Sequence, residues 1–356
     1  MIKRSTPRPR GVGQLVALAM MVSAGACDFP TEAPQWDTEW LVPVDSAQIS
    51  VTELLPASVG LTPDSSAFEV SLDPLSFSQT LAEMCSSCPP GSFPKPAFQS
   101  SFSDPTTLPT DVEGVTVRSA IVSVVLDNGL SFDPVRPGGA ETGELRVTLR
   151  DGDETGPILA ERVIDGASDS IPSGDQYPFD FDLGNQSFGS TLTAVVTVDS
   201  PSGPTVLMTP SDEFGIDVTP STVVVDEAIV RLQDQAVNID PVTVDADEVP
   251  DGVLERLESG AIRVQVENPF DVVIGMQLEI SGPGVPTIQK DLTVGMGSVE
   301  ERVDLTAAEM RSFLGQSDVV LSGSGDATAP TGTTAVRADQ FVLLNSFLEA
   351  TVRVGS

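Results

Sequence analysis

The sequence contains no histidine, the side chain that most often acts as a general base or metal ligand in proteins. A Ser-His-Asp or Cys-His nucleophile pair and any histidine-ligated metal are therefore excluded. Tyr177, the single tyrosine, lies in a strand-like segment and is expected to be a half-buried aromatic. A hydrolase that uses carboxylates alone remains open, since 52 acidic residues guarantee close pairs, but the sequence does not single one out.

Cys85 and Cys88 have the spacing of thioredoxin-like redox motifs. Redox chemistry of that kind needs the first thiolate at the start of a helix, whereas here Pro89 and Pro90 directly follow the pair. Two soft ligands are too few for a zinc site, and haem attachment would need histidine at position 89. In an exported protein the pair is expected to form a local disulfide.

Two acidic turns could supply the oxygen ligands that calcium prefers. They contain Asp151, Asp153 and Glu154 in the first turn and Asp245, Asp247 and Glu248 in the second. Neither has the glycine and closing glutamate of an EF-hand loop, and solvated turns are the simpler interpretation for so acidic a chain. We expect no metal ion and no cofactor, with calcium binding by these turns left open.

The first thirty residues have the order of a secretory signal. A basic stretch with Lys3 and Arg4 is followed by an apolar run from Leu15 to Val22 and then by small residues that lead to Cys27. The apolar run is far shorter than the roughly 18 residues that a membrane-spanning helix needs. We therefore predict that residues 1–26 are a signal peptide that is removed on export.

The cleavage region, Ala24-Gly25-Ala26-Cys27, resembles the lipobox of bacterial lipoproteins, with Ala24 where leucine is usual. The resemblance implies that Cys27 is acylated, becomes the mature N-terminus and holds the protein to the cell envelope, on the periplasmic side or at the cell surface. Ordinary secretion after cleavage behind Ala26 is the alternative.

The charge balance limits the partners of the chain. The net charge is −34, and loss of the signal peptide would leave about 14 basic against 52 acidic side chains. Affinity for nucleic acid and for anionic lipid headgroups depends on lysine and arginine that neutralise phosphate. We therefore expect no nucleic-acid partner and no binding to anionic lipid headgroups, with attachment to a membrane through the lipid on Cys27.

Residues 27–45 are rich in proline and acidic side chains, and we interpret them as a membrane-proximal tether. Trp36 and Trp40 within it could lie at the membrane interface or, as is commoner, pack against the first domain. Beyond the tether, alternating apolar residues and intervening turn residues predict antiparallel strands. The best helix signal is a capping box formed by Thr306 and Glu309.

We predict an all-β fold with two tandem immunoglobulin-like antiparallel β-sandwiches, residues 46–220 and 221–356, and a few short helices. Two pairs of similar segments suggest that the units are copies: 70–77 with 237–244, and 119–130 with 259–270. In this alignment Val70 matches Val237, Leu72 matches Ile239, Val124 matches Val264 and Leu126 matches Val266. The cysteines would lie in an inserted loop, at about residues 78–108. Shared periodicity alone is the alternative explanation.

The second unit, with the sequence VENPF at residues 266–270, resembles the late-embryogenesis-abundant type 2 domain, a small β-sandwich. The resemblance covers residues 259–350, rests on Asn268-Pro269, and implies a binding or protective module without catalytic residues.

Together these observations predict a non-enzymatic, membrane-anchored envelope lipoprotein that acts as a binding, adhesion or structural module for an unknown envelope protein or ligand. A carrier of an apolar ligand between the sheets and a carboxylate-only hydrolase are the alternatives.

Overall fold

The computed structural model describes residues 35–244 and 249–355, and it confirms the all-β fold class. The amino-terminal half contains these elements: β1 Trp36–Ser50, α1 Val51–Leu54, β2 Val59–Leu61, β3 Phe68–Val70, β4 Leu75–Thr80, α2 Leu81–Met84, β5 Gly91–Pro94, β6 Phe98–Thr107, β7 Val112–Ser119, β8 Ile121–Asn128, β9 Glu144–Asp151, β10 Ile158–Asp165, β11 Gln176–Asp182 and β12 Ser187–Gly189.

The carboxyl-terminal half continues with β13 Thr191–Ser200, β14 Thr205–Met208, β15 Glu213–Pro220, β16 Val223–Arg231, β17 Gln235–Val244, α3 Asp251–Leu254, β18 Leu257–Asn268, β19 Val273–Gly282, β20 Val285–Val294, β21 Gly297–Thr306, α4 Ala307–Phe313, β22 Val319–Thr328, β23 Thr333–Arg337 and β24 Phe341–Val354. Strand pairing is antiparallel throughout these two described halves.

Four sheets of four strands form two sandwiches. In the first, sheet I has the order β11-β8-β15-β4 and faces sheet II, β10-β9-β13-β6. The two sheets meet where the ring of Phe77 on β4 packs edge-on against Phe102 on β6, with the ring centroids 5.8 Å apart. In the second, sheet III is β21-β18-β24-β1 and sheet IV is β20-β19-β22-β17, and Val264 of sheet III packs over Leu278 of sheet IV.

The two sandwiches have the same strand order. If β8 is matched to β18, then β11, β15 and β4 of sheet I correspond to β21, β24 and β1 of sheet III. The strands of sheet II correspond in the same way to those of sheet IV. Val124 and Leu126 on β8 are buried, and so are Val264 and Val266 on β18, as the second pair of similar segments predicts.

Asn128 and Asn268 strengthen this correspondence, because each ends its strand with the same hydrogen bonds. The side-chain amide of Asn128 donates to the carbonyl of Phe132, and that of Asn268 donates to Val272, four residues on in both cases, at 3.0 Å. Each side-chain oxygen accepts from the backbone N–H two residues on, also at 3.0 Å. Both asparagines are buried, so these bonds satisfy groups that would otherwise be costly to bury.

The prediction that residues 70–77 and 237–244 are equivalent segments of the two units was wrong. Val70 and Leu72 are buried, as are Val237 and Ile239, but the first segment leads into β4 whereas the second lies within β17. The counterpart of β17 is β6, because β6 is the outer neighbour of β13 as β17 is of β22. The stretch 78–108 is therefore no inserted loop, since it contains a strand that both sandwiches share.

The predicted tether and tandem order also need correction. Residues 36–50 form β1, which pairs along its length with β24 at the opposite end of the chain, from Trp36 opposite Val354 to Ser50 opposite Phe341. The second sandwich thus begins with β1, and the chain builds the first sandwich before it returns at β17. The first sandwich is inserted into the second, so the boundaries 27–45, 46–220 and 221–356 do not separate the units.

A bridging sheet, β12-β7-β16-β3-β2, joins the two sandwiches, because β16 also pairs with β23.

The predicted capping box is confirmed: the Thr306 side chain accepts from the N–H of Glu309, whose carboxylate accepts from the N–H of Thr306. Helix α4 runs from this cap to Phe313, and the left-handed Gly315 follows it. The helix packs on β18 and leaves the sheet order undisturbed.

Candidate functional site

The structure joins Cys85 and Cys88 in a disulfide immediately after α2. A capping box of Thr80 and Glu83 starts this helix, and hydrogen bonds from Thr80 lower the pKa of the Glu83 carboxyl. Cys85 is buried against the core, and its backbone N–H donates to Leu81 at 2.8 Å. The bond fixes the turn that leads to β5, which is a structural role. Cys27 lies outside the described residues.

Tyr177 and the first acidic turn have structural partners. The Tyr177 hydroxyl donates to Asp169 at 3.2 Å and accepts from Arg162 at 3.1 Å. Asp151 accepts from the N–H of Gly189, and Asp153 caps its own turn by accepting from Thr155, which lowers the pKa of the Asp153 carboxyl. In the described ranges no group of three acidic or cysteine side chains could hold a metal ion, and residues 245–248 lie outside those ranges.

Lys95 is a buried amine, 1% exposed, in the connection between β5 and β6. Its Nζ donates to the carbonyl oxygens of Pro96 and Pro201 and lies 4.8 Å and 5.1 Å from the ring centroids of Phe98 and Phe132. Burial lowers the pKa of this amine from 10.5 to about 8. The lysine therefore cross-links two loops of the first sandwich through its ammonium group.

We expect Lys95 to make stability depend on pH. Between pH about 8 and 10.5 the unfolded chain keeps a proton that the folded protein has lost, so the free energy of unfolding rises with pH in this window. Lys95→Met removes this contribution. Urea titrations across the window should therefore show the stability of the wild type rising relative to the variant, with a constant difference below it. Parallel curves throughout would contradict this account.

An open groove lies on the outer face of sheet I, with a volume of about 330 Å³. Its floor is Gly215 on β15, which stands between Ser78 on β4 and Asp127 on β8. A Cβ atom at position 215 would lie 3.7 Å from the Cβ of Ser78 and 3.9 Å from that of Asp127, so the glycine leaves a space that a side chain could fill. The missing side chain produces the groove.

Carboxylates surround this groove. They belong to Asp127, Glu213 and Asp217, and the described residues of the lining include no basic side chain. Ser78 donates to the Glu213 carboxylate at 2.7 Å, which orients it along the groove. Hydrogen-bond acceptors and negative charge on an open surface favour a ligand that carries amino or hydroxyl groups. Sequence reasoning missed this site; its only signal was a glycine at an outward position of an alternating strand.

The corresponding position of the second sandwich differs in character. Glu267 and Leu343 there take the ladder positions of Asp127 and Gly215, as the partners of equivalent strands. The depression nearby is lined by Leu343, Phe341 and Arg337 among others, so it is neither floored by glycine nor free of positive charge. Of these two equivalent positions, only the one in the first sandwich forms an acidic groove.

The interior between sheets III and IV is closely packed. Two apolar spaces there, one beside Val264 and one beside Phe313, each have a volume of only about 10 Å³. A space of that size holds about one water molecule, whereas a small-molecule site needs several hundred cubic ångströms. These spaces could not hold the apolar ligand of a carrier.

None of the helices in the described residues has the length and apolar character to cross a membrane. Comparison with protein family models and with curated proteins finds no match.

Several solved structures are similar to the chain at low sequence identity. A candidate secreted protein from Parabacteroides distasonis is 10% identical, with coverage of 88% of this chain and 99% of that one and a TM-score of 0.33. The VP2 subviral particle of infectious bursal disease virus is 12% identical, with 85% and 76% coverage and a TM-score of 0.21. A tandem CBM22 domain of Paenibacillus barcinonensis Xyn10C is 9% identical, with 85% and 100% coverage and a TM-score of 0.18. We draw no functional conclusion from likenesses this distant.

Proposed function

We propose that this protein is an exported, non-enzymatic binding module that is held to the cell envelope by lipid on Cys27. The lipobox-like sequence before Cys27 supports the anchor, and the short distance from Cys27 to β1 would tie the anchor directly to a strand of the second sandwich. The first sandwich is inserted into the second and would be carried by it. This arrangement suits a module that presents an open surface to a partner.

The acidic groove over Gly215 is the observation that carries the binding role. Three carboxylates and two serines line an open, shallow surface without an enclosed reaction chamber. We expect its ligand to present amino or hydroxyl groups, as a basic protein segment or a polysaccharide of the envelope does. Charge attraction would contribute to the binding of a basic segment, so the affinity of that ligand should fall with salt.

Substitution of the groove floor tests this proposal. Gly215→Leu should abolish recovery of the partner when the tagged protein is purified from cross-linked native envelope, because the new side chain fills the groove. Gly275→Leu is the control, since Gly275 is an exposed strand glycine of the second sandwich, and with no atom within 4 Å of its Cβ position it accepts the same substitution without filling a groove. Equal recovery of the same envelope components by both variants and the wild type would overturn the assignment of the groove.

A further inference from the structure

Strand β1 carries a row of exposed apolar side chains at the amino-terminal end of the described chain. Trp36, Trp40 and Val42 alternate along one face of the strand and are 54%, 43% and 44% exposed. Their partners on β24 include Ala350 and Leu348, so the row continues the apolar face of sheet III past the part that sheet IV covers. We call these three residues the tryptophan row.

The number of residues between Cys27 and this row limits how far the row can lie from the proposed lipid anchor. Cys27 precedes Trp36 by nine residues, which span about 30 Å at full extension and less in any other conformation. A lipid on Cys27 would therefore hold the tryptophan row within reach of the bilayer surface. Tryptophan is enriched at membrane interfaces because its ring is apolar and its N–H is polar.

Charge makes a second copy of the chain a poorer occupant of this edge. Asp37 and Glu39 alternate with the row, so two β1 strands paired edge to edge would bring acidic side chains of both copies together. Because Arg353 lies 3.5 Å from Asp37 and partly neutralises it, Glu39 would contribute most of this repulsion. An uncharged lipid surface meets no such repulsion.

We propose that the tryptophan row docks onto the lipid surface and orients both sandwiches relative to the membrane. This inference rests on the proposed anchor at Cys27. It gives the lipid a second role besides attachment, since docking through β1 fixes the direction in which the first sandwich and its groove project.

The fluorescence of the protein reports this contact directly, because Trp36 and Trp40 are its only tryptophans. With Cys85 and Cys88 bonded to each other, Cys27 is the one thiol left for coupling in a chain that begins at that residue. Such a chain can be attached to a maleimide phospholipid in phosphatidylcholine vesicles. We expect the emission to shift to shorter wavelength and to be quenched when the vesicles contain brominated phosphatidylcholine.

Two single variants separate the contributions: Trp36→Phe leaves Trp40 as the reporter, and Trp40→Phe leaves Trp36. Both reporters should be quenched on the vesicle, and neither when soluble Cys27→Ser protein is mixed with the same vesicles. Coupled protein with unchanged emission and no quenching of either reporter would overturn the docking. Because the coupling supplies the anchor, absence of acylation in the cell would contradict the proposed function without affecting this result.

Discussion

Cys27→Ser should move the protein from the detergent phase to the aqueous phase in a detergent phase-separation experiment on whole cells. Each buried methylene of an acyl chain contributes about 0.8 kcal/mol to membrane attachment, so several chains on one residue anchor a protein stably and their loss releases it. The net charge of −34 offers no compensating attraction to an anionic bilayer. The expected change is therefore close to complete.

The control for this experiment is the double variant Cys85→Ser, Cys88→Ser, which loses the disulfide but keeps the predicted acylation site. It should remain in the detergent phase. Unchanged partitioning of Cys27→Ser, with the same mature N-terminus as the wild type, would contradict a lipid on Cys27 and would favour ordinary secretion.

Removal of β1 should unfold the second sandwich. Ile49, Val51 and Leu54 in β1 and α1 are buried, and burial of three such side chains contributes about 5 to 9 kcal/mol, comparable with the whole stability of a typical domain. Residues 221–356, the unit expected from the sequence alone, lack this segment. We therefore expect that fragment to show no cooperative unfolding transition.

A permuted fragment supplies the missing strand. Trp36 lies opposite Val354, so a short turn after Val354 can lead straight into residues 36–55 and restore β1 beside β24 as a hairpin. This fragment, residues 221–354 followed by 36–55, should unfold cooperatively in urea, whereas the same fragment with a scrambled 36–55 segment should not. If the fragment 221–356 folded equally well by itself, the nested arrangement would not be needed for stability.

Local features of this fold could be predicted from the sequence because neighbouring residues determine them. The capping box at Thr306 lies within four residues, and the alternation around Val124 and Val264 follows from the two-residue period of a strand. Proline cannot donate a hydrogen bond to a neighbouring strand, so it is expected at sheet edges and bulges. Pro241 lies in the edge strand β17, at a shift in the pairing between Ile239 and Val242.

The pairing of distant strands could not be predicted in this way. Residues 36–45 have the composition of a tether, and only the approach of β24, some 300 residues later, makes them a strand. The match of 70–77 with 237–244 misled because any two alternating strands share apolar positions. The groove is formed by three strands that are far apart in sequence. Gly215 alone does not indicate that Ser78 and Asp127 lie on either side of it.

The mass of the N-terminal peptide of protein extracted from its native envelope tests the central claim most directly. The account predicts a peptide that begins at Cys27 and is heavier than its sequence by the mass of a lipid with several acyl chains. A peptide that begins at another residue, or one that begins with an unmodified Cys27, would contradict the lipid anchor and with it the membrane-bound role proposed for both sandwiches.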